Sequence, residues 1–245
     1  MASDENGERH SKALSPSLIT DPEERARKEA QNGLLQSDLA DRIIDHSLDP
    51  ERQPFRLRPS IIRQLNHQAI EGLDSFAGTY RPGKIDIGKS KHEPPDAFLV
   101  DELVHEMCDY VNNNWEKTAI HLSAYVLWRL NWIHPFTDGN GRTARTASYV
   151  VLCARLGVRL PGTNTIPDQI AADKTPYYGA LEAADEAAKQ GNIDVGELEG
   201  QLEGLLANQL VWVMKAATGR TDLGSRAPDL GRAPDRDPGT PSLSK

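Results

Sequence analysis

The sequence predicts a mainly α-helical single domain with one small β-hairpin and polar tails. Three observations carry that prediction. Apolar residues recur at helical spacing in segment after segment, strict strand-like alternation is confined to Lys84, Ile85, Asp86 and Ile87, and Gly or Pro clusters separate the periodic runs. With 245 residues and 38% hydrophobic composition, the chain can bury one substantial core.

Residues 1 to about 15 are polar and aperiodic and predict a flexible arm. A helix is expected to start at Thr20, which offers a capping hydroxyl ahead of Asp21, Pro22 and Glu23, and to stop at Asn32 and Gly33. Leu39, Ala40, Ile43 and Ile44 predict a second helix over 37–46, which the Pro54 and Pro59 region breaks. A cap at Ser60 opens the next, with Ile61, Ile62, Leu65, Ala69 and Ile70 facing the core. Gly72, Gly78, Pro82 and Gly83 end it, and the alternating 84–87 segment follows.

Phe98, Leu99, Leu103, Val104, Met107 and Cys108 predict a helix over 96–110. Over 118–132 the apolar residues surround nearly the whole circumference, so this helix should be buried and should carry the loop after it rigidly. Helices over 143–156, stopped by Gly157, and 176–190 come next. Asp194 and Glu197 form a capping pattern before Leu198, Leu202, Leu205 and Leu206, and the core should end near Lys215. The tail carries R-A-P-D twice, at 226–229 and 232–235, in a composition too poor in apolar residues to offset chain entropy, so it is expected to be disordered.

A formal charge of −8 and a pI near 5.4 argue against a nucleic-acid ligand, whose binders display clustered Lys and Arg. Cys108 and Cys153 lie in apolar helical stretches, which supports buried thiols over a disulfide framework or zinc cluster. The N-terminus has neither the basic segment nor the apolar run of a signal peptide, and no stretch is long enough to span a membrane. The expected location is the cytosol, with export through another kind of address left open.

The chemistry is concentrated in H-P-F-T-D-G-N-G-R-T-A-R, residues 134–145. Gly139, Asn140 and Gly141 can turn backbone N–H groups toward an anion, because glycine tolerates the dihedrals and permits close approach. Arg142 and Arg145 are one helical turn apart and can aim at the same polyphosphate, as clamps rather than a solvated face. A helix opening here would itself favour phosphate. His134 carries the side chain best suited to take a proton from a hydroxyl near neutral pH. Asp138 is either a turn-former or a Mg²⁺ ligand, and a carboxylate beside a phosphate turn favours the ligand. Asn140 can donate to phosphate oxygens or close a local turn.

This segment resembles the signature of the Fic family, H-P-F-x-[D/E]-G-N-G-R-x-x-R, and matches every specified position. The likeness extends to G-x-Y-R at 78–81, to I-D-I-G-K-S-K-H-E-P-P at 85–95, and to Y-Y-x-x-L-E-A-A at 177–184, spanning roughly residues 56–191. It implies a Fic (Fido) catalytic domain over 56–191, with an arm over 1–18, a helical extension over 19–55, a C-terminal helix over 192–216 and a tail over 217–245. It also implies transfer of AMP from ATP, with Mg²⁺, to a Tyr, Thr or Ser hydroxyl of a target protein, this chain itself included. His134 would be the base and Asp138 the metal ligand. Gly139, Asn140, Gly141, Arg142 and Arg145 would hold the phosphates, and Tyr177 and Tyr178 would line the nucleotide. Ile85, Asp86, Ile87 and Gly88 would form the family's flap, which aligns a target by strand addition, and Lys84, Lys89 and Lys91 beside it suit an acidic target. Asp185 stands where the family commonly has Asn, which puts a nucleotide contact there in doubt.

Many family members hold an inhibitory helix, [S/T]-x-x-x-E-[G/N]. T-D-P-E-E-R, residues 20–25, keeps Thr20 and Glu24 but has Arg25 in the last place, so inhibition is expected from a separate protein, from self-modification, or not at all. The alternatives to AMP transfer are same-site variants (removal of AMP, transfer of another nucleotide, phosphorylation) and a non-catalytic nucleotide-binding interaction module.

Overall fold

A computed structural model of the chain describes residues 11–12, 18–88 and 90–219. Among these, helices dominate, as the periodicity predicts: α1 (Pro22–Leu48), α2 (Pro59–Ile70), α3 (Val100–Asn113), α4 (Ala119–Ile133), α5 (Asn140–Leu156), α6 (Ile166–Ala172), α7 (Thr175–Lys189) and α8 (Gly196–Thr218). The disordered tail expected over 217–245 lies, beyond Gly219, outside the described residues, as does most of the expected arm.

The centre is the pair α4 and α5, buried over most of their circumference. Thr118 caps α4 by accepting the His121 N–H at 3.1 Å. Where the two helices approach, small residues replace apolar ones: the Ser123 hydroxyl donates to the Ser148 carbonyl at 3.0 Å, and Ser148 donates to the Ser123 carbonyl at 2.9 Å. Two buried hydroxyls are thereby satisfied without water. Residues from Ala40 on α1 to Leu202 on α8 join one hydrophobic cluster, so the terminal helices share the core of the signature segment. Both cysteines are free and buried in it.

Several expectations change. The expected stop at Asn32 and Gly33 is overridden, and α1 runs unbroken from Pro22 to Leu48. The Asn32 side chain, fully buried, donates to the carbonyls of Ala69 at 3.3 Å and Glu71 at 2.9 Å. It caps the end of α2 across space instead of ending its own helix. The cap of α1 is Asp21, which accepts the Glu24 N–H at 2.7 Å, and not Thr20. Helix α2 starts on Pro59, with its missing N–H placed where none is needed, rather than from a cap at Ser60. Helix α5 opens at Asn140, three residues before the expected start, and α6 was not anticipated. Its seven residues are too short to show a period, and a capping box between Thr165 and Asp168 fixes it.

The β-hairpin expected around 84–87 is replaced by a different pairing. Strand β2 (Asp86–Ile87) is antiparallel to β1 (Ser11–Lys12), a piece of the N-terminal arm, with Ser11 opposite Ile87 and Lys12 opposite Asp86. No helix among the described residues is long and apolar enough to cross a membrane.

Candidate active site

The loop between α4 and α5 is held by its ends. Helix α4 stops because His134 takes the left-handed conformation, φ 51°, the one non-glycine residue among those described to do so, while its N–H still bonds the Leu130 carbonyl at 3.0 Å. Such a conformation costs about 1–2 kcal/mol in an L-residue and persists only where surroundings enforce it. Here Arg81 enforces it. Its side chain is 3% exposed, its Nε donates to the His134 carbonyl at 2.8 Å, and its backbone N–H donates to the Pro135 carbonyl at 2.8 Å. The same guanidinium reaches the carbonyls of Gly83 and Pro95, so one buried cation joins the signature loop to both ends of the 83–95 segment. Burial lowers the Arg81 pKa, with Asp96 opposing the shift.

Phe136 is wholly buried, its ring 5.6 Å from that of Tyr80, and pins the loop to the core. Asn140 is also buried. Its Oδ1 accepts the Phe136 N–H at 2.9 Å and its Nδ2 donates to the Phe136 carbonyl at 2.8 Å. The local-turn role therefore takes up the Asn140 side-chain amide. Gly139, φ 74°, is the N-cap of α5, and the first N–H groups of that helix have no intrahelical acceptor.

Sequence reasoning missed Asn66, which organises this turn from α2. Its Nδ2 donates to the Asp138 carbonyl at 2.9 Å and the Thr143 hydroxyl at 3.3 Å, and its Oδ1 accepts the Gly78 N–H at 3.0 Å. The available signal was a polar residue on the apolar face set by Ile62, Leu65 and Ala69.

A cavity of about 430 Å³ opens over this turn. His134, Asp138, Gly139, Asn140, Gly141, Arg142, Arg145, Tyr177, Tyr178 and Ile87 line it. Of the four residues expected to form a target-docking flap, Ile87 lines the cavity, Ile85 is buried, and Asp86 and Gly88 lie outside the lining. Tyr177 is buried with its ring 5.6 Å from that of Tyr178, and its hydroxyl accepts from Asn131 Nδ2 at 2.7 Å. Asn131 in turn offers its carbonyl to His134 Nδ1 at 3.3 Å. Asp185 accepts the Trp128 Nε1–H at 2.9 Å and lies 3.7 Å from His92 Nδ1, so this carboxylate braces α4 and the end of the flap segment.

Among the further lining residues, Arg25 and Glu29 of α1 were not anticipated. Arg25, in the first turns of α1, places a guanidinium nitrogen 3.2 Å from Asp138 Oδ2 and pairs with Glu29 at 3.1 Å. Arg142 approaches the same carboxylate oxygen at 3.5 Å, while the other oxygen accepts the Gly139 N–H at 2.6 Å. Glu24, the acid of the partial inhibitory pattern, is exposed and does not line the cavity.

His134 is 7% exposed, and burial pushes its pKa down to about 3; the Asn131 carbonyl opposes the shift, and Arg81 and His92 add to it. The ring is therefore neutral at ordinary pH. With Nδ1 beside a carbonyl, Nδ1 carries the hydrogen and Nε2 keeps its lone pair. A histidine whose folded pKa lies below its unfolded one contributes stability that is complete above the unfolded value and is lost as pH falls toward the folded one. Between about pH 6 and pH 4 the wild type is expected to lose stability relative to His134→Asn by on the order of 1 kcal/mol per pH unit. Urea midpoints of both proteins across that window check this, and parallel curves would show that His134 is not buried as the neutral form.

The fold and the loop define a helical domain built around a histidine-bearing, glycine-rich turn at the N-terminus of a central helix. Residues 56–152 of this chain match the model of the Fic/DOC family. It is 29% identical over 158 residues to the protein adenylyltransferase Fic of Drosophila willistoni, an alignment covering 63% of this chain and 29% of that one. The chain thus spans well under half the length of that curated relative. Among solved structures it is similar to a Fic domain containing signaling protein from Bacteroides thetaiotaomicron VPI-5482, with TM-score 0.61, 21% identity, and 80% of this chain and 75% of the other covered. Residues 134–508 of Fic-1 from C. elegans give TM-score 0.57 at 22% identity, covering 82% and 55%. These two likenesses are of fold.

Proposed function

We propose that this chain is a Mg²⁺-dependent protein adenylyltransferase, moving AMP from ATP to a Tyr, Thr or Ser hydroxyl of a target protein. The observation that carries this reading is the convergence in one cavity of a neutral histidine, the open N-terminus of α5, and two arginines one turn apart. At about 430 Å³ the cavity is of the size that takes a small-molecule ligand. The relative from Drosophila willistoni bears the same activity in its name.

The parts divide the work. His134 Nε2 accepts the proton of the attacking hydroxyl. The first N–H groups of α5 face the α-phosphate, and Arg142 and Arg145 neutralise the charge that develops on departing pyrophosphate. Tyr177 and Tyr178 offer aromatic faces to the base. The donor set suits magnesium, which commonly takes one carboxylate together with phosphate oxygens, and Asp138 Oδ2 already faces cations at 3.2 and 3.5 Å. Bound there, Mg²⁺ would neutralise phosphate charge. Arg25 occupies that position at rest and has to yield it. The flap segment would orient a target main chain, and Lys84 and Lys91, both exposed, favour an acidic one. A cytosolic enzyme, free to meet such targets and ATP, is the setting this reading suits.

The test is incubation of the protein, alone and in cell lysate, with Mg²⁺ and ATP labelled at either the α or the γ phosphate. Protein-bound label from α-labelled ATP alone is the expected result. Retained γ label would replace AMP transfer by phosphorylation, and no label in either case, with nucleotide bound, would leave a binding module.

A further inference from the structure

Between the end of α1 and the start of α2 the chain forms a second cavity, of about 360 Å³, which shares no lining residue with the catalytic one. Residues 55–58 approach it as an extended, alternating segment, with Phe55 and Leu57 buried and Arg56 and Arg58 exposed. Asn112 of α3 fixes that alternation by accepting the Leu57 N–H at 2.8 Å and donating to the Leu57 carbonyl at 2.9 Å. Arg56 and Arg58 thus line the cavity together, and Arg42 and His46, one turn apart on α1, line it with them. Arg52 is the fourth guanidinium, paired with Asp49 at 3.0 Å. Among the described residues no carboxylate pairs with Arg42, Arg56 or Arg58, and none lines the cavity. Asp41 and Asp45 of α1 approach Arg159 instead, at 3.8 and 3.3 Å. Helix α2 adds its positive end, since it opens beside the cavity at Pro59 with no side-chain cap and no acid in its first turn.

In a chain with 36 acids against 28 Lys and Arg, such a concentration of cations without acids selects an anionic partner. Two features select its size. Ile43, Phe55 and Ile61 give the cavity apolar surface among the guanidiniums, and Ser60 also lines a hollow of about 500 Å³ beside it, where Leu39 of α1 faces Arg63 and His67 of α2 and again no acid is present. A free phosphate would use the cations and leave the apolar surface and the length of the groove empty. A long nucleic acid would meet the negative remainder of the protein, whereas a short segment responds to the field within a Debye length. We propose that the groove between α1 and α2 docks an acidic segment of a partner protein, its carboxylates on Arg42, Arg56 and Arg58 and an aromatic or leucine side chain against Ile43, Phe55 and Ile61. Guanidinium forks match carboxylates, and an apolar anchor inside a charged rim is the usual form of a peptide-binding hot spot.

The experiment is fluorescence anisotropy of the labelled peptide Glu-Glu-Phe-Glu-Glu-Leu-Glu-Glu titrated with the full chain. Wild type is compared with the double variant Arg42→Ala, Arg56→Ala and with the charge-matched double variant Arg27→Ala, Lys189→Ala, whose four positions are all exposed. The expected result is saturable binding that weakens about 10-fold in the Arg42, Arg56 variant and stays within about 2-fold in the other. The same peptide with Ser in place of Phe and Leu should bind about 5-fold more weakly. No saturable binding, equal weakening in the two variants, or equal affinity for the Ser peptide overturns the proposal. Tighter binding of a short oligothymidylate through the same arginines overturns it in favour of nucleic acid, and self-association abolished by the Arg42, Arg56 substitutions does so in favour of a second copy of the chain. None of these measurements involves AMP transfer, so the adenylyltransferase reading stands or falls separately.

Discussion

Replacing His134 by Ala is expected to lower AMP transfer by about 10² to 10⁴, with ATP affinity little changed. The asymmetry follows from the division of the site. The groups proposed to hold phosphate, namely the α5 N-terminus, Arg142 and Arg145, lie on the other side of Gly139 from the imidazole, and Phe136 and Asn140 hold that turn through contacts the substitution does not touch. The backbone complicates the comparison, because residue 134 sits at φ 51°, where alanine is strained and asparagine is tolerated. His134→Asn separates the two effects: both variants should lose the same rate, while only alanine adds a stability cost near 1 kcal/mol. Single-turnover rates with ATP affinities measured alongside decide it. A His134→Asn protein that keeps wild-type rate would remove the imidazole from the mechanism.

The turn that carries this chemistry was legible because its parts are neighbours in sequence. A base, a carboxylate, two glycines and two arginines within residues 134–145 need only one loop and one helix N-terminus to meet, and local physics supplies both. The buried helix before it was legible for a similar reason, since apolar residues on all sides of α4 require burial wherever the rest of the chain goes. What was not legible depends on contacts distant in sequence. Gly33 was expected to end a helix, yet the helix continues because Asn32 spends its amide on the end of α2. Asn66 looks like an interruption of an apolar face until Gly78 and Asp138 are known to meet it.

The same limit governs the flap and the proposed metal carboxylate. Alternation in residues 84–87 marked a strand correctly, but a strand edge accepts any extended backbone, and its partner was a polar aperiodic arm that carries no strand signal of its own. Arg25 was read only as the residue that breaks a regulatory pattern. In space it faces Asp138, and the acid that accompanies it in the cavity is Glu29 rather than Glu24. Helical phase, set by the Asp21 cap, decides which of these side chains reach the site.

Gly139→Ala is expected to destabilise the protein by about 2–4 kcal/mol, and Gly157→Ala provides its internal control. Both glycines are left-handed, φ 74° and 72°, so both substitutions carry the same backbone strain of about 1 kcal/mol. They differ in what a Cβ would meet. At Gly157 nothing lies within 4 Å, whereas at Gly139 the new carbon would stand 2.7 Å from Ile70 Cγ2 and 3.1 Å from Asn66 Nδ2. Neither neighbour can give way cheaply. Ile70 is fully buried in a small cluster with Ala69 and Leu73, and the Asn66 nitrogen is bonded to the Asp138 carbonyl and the Thr143 hydroxyl. Relief therefore has to come from the turn itself, moving Asp138 away from its position beside the α5 N-terminus. Urea unfolding of the two variants tests this, with the midpoint of Gly139→Ala expected well below that of Gly157→Ala at equal slope. Transfer activity under folded conditions should fall in Gly139→Ala and stay near wild type in Gly157→Ala. Equal midpoints would mean that α2 does not press on the signature turn, and that the close fit between Ile70, Asn66 and Gly139 is not what holds the turn in place.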